Sequence, residues 1–296
     1  MVVIRFMGGL GNQMFQYALY KTFEKAGRQV RADMTFFAES RVPYQLENLY
    51  GLHVEKAERA DIERYRDNSR SLLSRIRRKV FGKKKSDVSE NIEIYYEFND
   101  KDNMYLNGYW QNSRYFESVV NDLRECFVLR EPMTDYQQDV ISEMESMMAA
   151  SIHIRRGDYL SGDNAKMYGD ICTDDYYESA IKYLEQRYGV KDFFVFSDDV
   201  EWAQERFKSV NGREFHVVRS TDDRDMFLMA TCKHNIIANS SYSWWAAWLN
   251  MDKDKVVIAP SVWLNTSDVR GIYCDEWVLI SPNGHICEGS EAKAEE

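Results

Sequence analysis

Three stretches of this chain join anion-binding residue types to a spacing that would let them act together. In His153-Ile154-Arg155-Arg156-Gly157-Asp158-Tyr159, two arginines stand where an apolar run ends. Arginine offers a planar fork of donors that matches phosphate oxygens. In open α/β sheets, ligands bind outside the carboxyl ends of the strands. Strand alternation puts His153 and Arg155 on one face and turns Arg156 elsewhere, while Gly157 permits a sharp turn. The competing reading is a basic surface turn in which Arg156 and Asp158 form an ordinary ion pair.

The second stretch is Gly8-Gly9-Leu10-Gly11-Asn12-Gln13, which follows the apolar run Val2–Phe6. Glycines between a strand and a helix let a ligand approach the backbone, and the helix start favours an anion. Met14 stands where the dinucleotide fingerprint needs its third glycine, and there is no Lys-Ser or Lys-Thr pair for a P-loop. The turn is therefore a ligand loop or simply a tight connection. The third stretch is Asn239-Ser240-Ser241-Tyr242-Ser243-Trp244-Trp245, at the end of another apolar run. Capping a helix accounts for one of its small polar residues and leaves several for a phosphate. Trp244, Trp245 and Trp248 have helical spacing and read as core. Asp222-Asp223-Arg224-Asp225 and Ser197-Asp198-Asp199 carry enough carboxylates for Mg²⁺, but acidic helix starts are the simpler reading. No metal site is expected.

The elements that hold these stretches alternate. Val2–Phe6, Gln29–Ala32 and Met104–Leu106 read as strands of a first α/β unit around a helix Asn12–Lys25. From residue 151 a second alternation begins, with strands near 151–154, 193–196, 215–218, 235–238 and 256–258 separated by helical runs. Such alternation implies parallel sheets with helices on their faces. The expected division is 1–148, 149–285 and a disordered acidic tail at 286–296.

Composition excludes several classes. A net charge of −10 argues against general nucleic-acid binding. The five cysteines are scattered without a Cys-x-x-Cys pair, which points to reduced, buried thiols rather than zinc or disulfides. The first residues are too short and wrongly flanked for a signal peptide, and no apolar run approaches the roughly 20 residues that span a bilayer. A cytoplasmic protein is expected.

Taken in order, the glycine turn Gly8–Tyr17, Gly108-Tyr109-Trp110-Gln111-Asn112, His153–Tyr159, Phe196-Ser197-Asp198-Asp199 and Asn239–Trp245 resemble the bacterial α-1,2-fucosyltransferases of glycosyltransferase family 11. The resemblance runs to about residue 280. It implies a GT-B fold, with two Rossmann-like domains facing across a cleft. It implies GDP-β-L-fucose as donor, a terminal β-galactose (such as that of a lipid-linked glycan in O-antigen or capsule assembly) as acceptor, inversion, and no cofactor or required metal. In the wider superfamily the first arginine of the His-x-Arg-Arg motif contacts the β-phosphate, a role that falls on Arg155. An aspartate sixteen residues before a phosphate-contacting serine binds guanine in the α-1,6 enzymes, which matches Asp225 and Ser241. Gly11, Asn12 and Ser240 complete the expected donor contacts, with His153 and Asp158 as candidate bases. Another sugar-nucleotide donor, or a non-catalytic GDP- or glycan-binding protein, are the alternatives.

The resemblance does not cover residues 55–91. From Arg59 to Lys85 there are eleven Lys or Arg against three acidic residues. This stretch reads as a helical excursion or a mobile loop, solvated in preference to forming a patch drawn to anionic lipid at the inner face of the membrane.

Overall fold

The computed structural model describes residues 1–69, 71–98, 102–210, 212–220, 223–269 and 271–287. The chain separates into two compact units. The first comprises Met1–Arg130 and a short segment ending at Ile272, and the second comprises Glu131–Val269 and the chain from Tyr273 onward. Each is built on a wholly parallel sheet, the α/β architecture that the alternation implies.

In the first unit, β1 (Val2–Arg5), β2 (Val30–Asp33), β3 (Asp87–Ser89) and β4 (Met104–Asn107) lie in the order β2-β1-β4-β3. Val2, Val3 and Ile4 are fully buried, as a central parallel strand covered on both faces requires. The chain leaves β1 on one side and later returns to its other side, so β1 and β4 flank a topological switch point. The Tyr105 hydroxyl of β4 donates to the buried Asp33 at the end of β2 at 2.6 Å, tying the sheet together across β1.

The basic stretch takes the helical of its two readings, an excursion rather than a mobile loop. It forms helices Arg59–Tyr65 and Leu72–Phe81 and then returns β3 to the edge of the sheet beside β4. Ser71 caps the second helix through the Ser74 N–H, and Gly82, at φ 75°, ends it. Asp67 organises the turn. Its carboxylate pairs with Arg77 and Arg78 and accepts the Lys84 N–H, and the Lys84 ammonium closes on the carbonyls of Glu63, Arg64 and Arg66. Burial pushes the Asp67 carboxyl upward in pKa, but these cations and the N–H outweigh it and hold the group well below the usual carboxylate range. Sequence periodicity leaves helix and loop both open here, because the ties that fix the helix come from ion pairs, not from a buried apolar face.

In the second unit, β5 (Ala149–Ile154), β6 (Asp192–Ser197), β7 (Glu214–Val217), β8 (His234–Ile236), β9 (Val257–Pro260) and β10 (Val278–Ile280) lie in the order β10-β9-β8-β5-β6-β7. From β5 the chain winds outward through β6 and β7, then crosses back to lay β8 on the other side of β5. The switch point therefore lies between the carboxyl ends of β5 and β8, where open sheets bind ligands. The buried Tyr176 hydroxyl sits 2.6 Å from the Ile237 carbonyl and 3.2 Å from that of Ile258, and fixes the ends of β8 and β9. Trp244, Trp245 and Trp248 pack with Trp277 in the core, as their spacing implies.

The boundary falls at Arg130, not near 149. Helix Asp135–Glu145 precedes β5 but packs against helix Asp225–Thr231 and so belongs to the second unit. At the other end, Ile286 bridges to Ile280 and the Cys287 N–H donates to Leu279, which places the start of the expected tail against β10. The rest of that tail lies outside the described residues. No disulfide joins the five cysteines, all of them described, and only Cys232 is buried. No described helix is long and apolar enough to cross a membrane.

Candidate active site

The register of β5 and β6 brings Ile154 level with Ser197, so the next residues, Arg155 and Asp198, emerge side by side. One Asp198 oxygen accepts the Arg156 N–H at 2.9 Å and the other pairs with the Arg155 guanidinium at 3.1 Å. Asp198 is a positioning residue that sequence reasoning took for an ordinary helix-start acid, since its partners lie some forty residues away. Asp199 does play that default role, capping helix Val200–Arg206 through the Trp202 N–H. Arg156 pairs with Asp199 at 3.2 Å and lies 4.0 Å over the Trp202 ring. It is held to the protein, whereas the Arg155 side chain keeps 37% of its surface exposed. An ion pair this exposed is worth at most about 1 kcal/mol, so a diphosphate, which carries more charge, can take over the fork.

Gly157 is required by close approach. A Cβ there would stand 2.6 Å from the Asp198 carboxylate. Gly157→Ala should therefore displace Asp198, loosen Arg155 and lower transfer by roughly ten- to a hundredfold, with little change in melting temperature. Steady-state kinetics beside a thermal melt test this, and unchanged turnover would contradict the positioning role of Asp198.

The other lip follows β8. The Tyr159 hydroxyl donates to the Asn239 carbonyl at 3.0 Å and joins the two lips. Asn239, Ser240 and Ser243 have structural work. The Asn239 amide donates to the carbonyls of Tyr168 and Trp263, Ser243 donates to Ala238 and Ser240, and Ser240, 8% exposed, caps helix Ser241–Leu249 through the Tyr242 N–H. Ser241, half-buried in the first turn, has no hydrogen-bond partner for its hydroxyl among the described residues. The Tyr242 hydroxyl accepts the Met226 N–H at 2.8 Å and reaches the Asp223 carbonyl at 3.1 Å. It thereby clamps together the starts of helices Asp225–Thr231 and Ser241–Leu249. Asp225, whose side chain is buried, begins the first of these helices, and Ser241 begins the second. Asp222 lies outside the described residues.

His153 is buried at the end of β5, its Nδ1 without a hydrogen-bond partner among the described residues. Burial, then the Arg155 charge, lowers its pKa to about 3, so the ring is neutral in the working range and a weak proton acceptor. Burial likewise lowers His234 to about 4. Below pH 6.5 the unfolded chain protonates both rings while the folded chain does not. The unfolded state then binds more protons, so stability falls as pH drops from 6.5 toward 3–4. His153→Asn should flatten that loss by about 2 kcal/mol at pH 5, measured by denaturant titration at pH 7 and pH 5. An unaltered pH slope would contradict a neutral His153. Of Asp158 only the backbone is described, in the single 3₁₀ turn Gly157–Leu160.

In the first unit the glycine turn is Gly8-Gly9, because the helix begins at Leu10 and takes in Gly11, which is buried. Gly8 has φ 80°, and a Cβ there would meet the Asn12 amide at 2.7 Å. Gln13 bonds Gly8, Pro43 and Gln45, and Gln16 bonds Met7 and Gly108, so two buried glutamines clamp the turn. Asn12 accepts from the Gln111 amide at 2.6 Å. Gln111 is presented by a turn with Trp110 at φ 59°, held by Glu90, whose carboxylate accepts the Tyr109 and Trp110 N–H groups. Burial raises the Glu90 pKa against these bonds. The carboxyl ends of β1 and β4 thus form a second ordered switch point. Among the described residues no group of three or more His, Cys, Asp or Glu is arranged to hold a metal ion.

Comparison with known proteins places the chain in a family. Glycosyl transferase family 11 matches residues 1–281. The chain is 32% identical to the O-antigen biosynthesis glycosyltransferase WbnK of Escherichia coli, over 92% of this chain and 97% of that one. It is also 32% identical to an alpha-1,2-colitosyltransferase of Escherichia coli, over 94% and 98%. Identity to the human galactoside alpha-(1,2)-fucosyltransferase 1 is 24%, over 60% of this chain and 52% of that protein. Among solved structures, the fucosyltransferase NodZ from Bradyrhizobium covers 83% of this chain and 91% of its own at 14% identity and a TM-score of 0.42. The near-complete family match, together with two relatives at 32% identity over almost the whole chain, shows that this protein is a glycosyltransferase belonging to glycosyl transferase family 11.

Proposed function

We propose that this chain is an inverting, metal-independent galactoside α-1,2-fucosyltransferase that acts in the cytoplasm. In this reading it moves L-fucose from GDP-β-L-fucose to the 2-hydroxyl of a terminal β-galactose, in an O-antigen, capsule or similar glycan. The observation that carries the reading is the convergence at the switch point between β5 and β8. There the part-exposed Arg155 guanidinium, paired with Asp198, stands on one lip, and the Ser241 hydroxyl, without a hydrogen-bond partner among the described residues, and the buried Asp225 carboxylate lie at the helix starts of the other. These groups suit a phosphate and a base with paired N–H donors, and guanine presents N1–H and N2–H₂ to a carboxylate.

The acceptor oxygen attacks the fucose anomeric carbon from the face opposite GDP. The carbon–oxygen bond to the β-phosphate breaks, its electron pair leaves with GDP, and the acceptor hydroxyl loses its proton. Arg155, Ser241 and the N–H groups of the Ser241 helix face the charge that grows on the diphosphate, where fixed donors contribute most. His153, neutral and buried, shapes the strand end and is the weaker candidate for the proton. Asp158 remains the other.

A second reading concerns the donor, since one relative is a colitosyltransferase. Colitose is L-fucose without its 3-hydroxyl, so a site that bonds that hydroxyl rejects colitose strongly and a site that excludes it rejects fucose. Purified protein is incubated with EDTA, a panel of sugar nucleotides and β1,3- and β1,4-linked galactosides. The expected result is transfer from GDP-fucose, undiminished by EDTA. Transfer from GDP-colitose alone would move the assignment to the second reading. Tight GDP binding with no transfer from any donor would make the chain a binding protein.

A further inference from the structure

Helix Leu72–Phe81 is mounted the wrong way round for a globular protein. At 100° per residue, Leu72, Leu73, Ile76 and Val80 fall on about one third of its circumference. All are exposed, by 52% to 80% of their surface, as is Phe81 at the end. The opposite face, Ser74 and Arg78, turns inward. Arg78 bonds the Asp67 carboxylate at 3.0 Å and the Ser69 carbonyl at 2.8 Å, and Ser74 borders a polar cleft lined also by Thr35, Glu39, Arg66 and Asn68. Asp67, its side chain 2% exposed, anchors this arrangement from within, so the outward apolar stripe is fixed by an ion-pair network and is not a frayed end.

An exposed stripe of large apolar side chains marks an interaction surface, and its margin says which kind. Arg75, Lys79, Lys83 and Lys85 are exposed and have no carboxylate partner among the described residues. A ten-residue helix is about 15 Å long, too small to supply the roughly 800 Å² per partner of a stable protein interface. It does match the geometry of a helix that lies in a bilayer surface, its apolar side at the acyl boundary and its cations among anionic headgroups. In a chain of net charge −10, a basic margin gathered around an apolar stripe also orients the molecule toward such a surface.

We propose that helix Leu72–Phe81 docks this protein on an anionic lipid bilayer. The test is co-sedimentation of the whole chain with vesicles of phosphatidylglycerol and phosphatidylethanolamine, and with vesicles of phosphatidylcholine. Two variants accompany it, Leu73→Ser/Ile76→Ser/Phe81→Ser and Lys79→Glu/Lys83→Glu/Lys85→Glu. All of these side chains are exposed, so circular dichroism and GDP affinity should match the parent. The expected result is binding to the anionic vesicles, little to phosphatidylcholine, and a loss of roughly tenfold or more in partitioning for either variant. A parent chain that stays in the supernatant with anionic vesicles overturns the proposal. So do variants that bind as the parent does. Sedimentation velocity without lipid is the companion measurement. If the parent self-associates and the serine variant is monomeric, the stripe covers a second copy and the bilayer assignment is wrong. None of these outcomes depends on which sugar donor is used.

Discussion

Arg155→Ala is expected to lower turnover by about a thousandfold while the protein stays folded, in line with the loss of a donor aimed at developing charge. The fold should survive because Arg155 stands beyond the end of β5, part-exposed, and its pair with Asp198 is a surface ion pair. Arg155→Lys should recover only part of the loss, since an ammonium cannot present the two-pronged fork. Arg156 supplies the control. Its guanidinium is committed to Asp199 and to the Trp202 face, so Arg156→Ala should cost about 1–2 kcal/mol of stability and far less activity. The two variants are compared by kcat and by thermal melt. If Arg156→Ala proves the more damaging to turnover at unchanged stability, the roles of the two arginines are reversed.

The second large effect concerns Asp225. If its carboxylate accepts the N1–H and N2–H₂ of guanine, Asp225→Asn removes a charge and turns an amide donor toward a donor. Affinity for GDP should fall about a hundredfold or more, because hydrogen bonds to a charged group are worth roughly 1.5–3 kcal/mol each. The competing role is an acid at a helix start, which Asp225 also fills. Inosine diphosphate separates the two, since it lacks the 2-amino group. The parent should prefer GDP to inosine diphosphate by about tenfold, and Asp225→Asn should lose most of that preference, a coupling between residue and ligand group. A variant that is destabilised yet still prefers GDP would leave Asp225 with the structural role only.

What the sequence makes legible is local. The alternation of the second unit, the strand that ends at Arg155 and the tryptophan helix can be read directly, because each rests on periodicity or on neighbouring residues. What it hides is set by distant partners. Asp198 meets Arg155 only because β5 and β6 share a register, and Glu90 shapes the Trp110 turn from another strand's end. The polar burst at Asn239–Ser243 invites too many phosphate contacts. Three of its side chains are spent on backbone carbonyls and a cap, and only the fold shows Ser241 as the serine left over among the described residues. Strand β3 is three polar-flanked residues on a sheet edge, below any periodic signal. Helix Leu72–Phe81 stays undecided against a loop for the opposite reason: its apolar side has no core to face.

The claim that the second unit's switch point holds the donor's diphosphate is tested most directly by a crystal structure of the GDP complex. The account predicts β-phosphate oxygens on the Arg155 guanidinium and the Ser241 hydroxyl, with Arg155 drawn off Asp198 and guanine on the Asp225 carboxylate. A diphosphate seated on the Gly8–Gly9 turn of the first unit, with Arg155 still paired to Asp198, would contradict it.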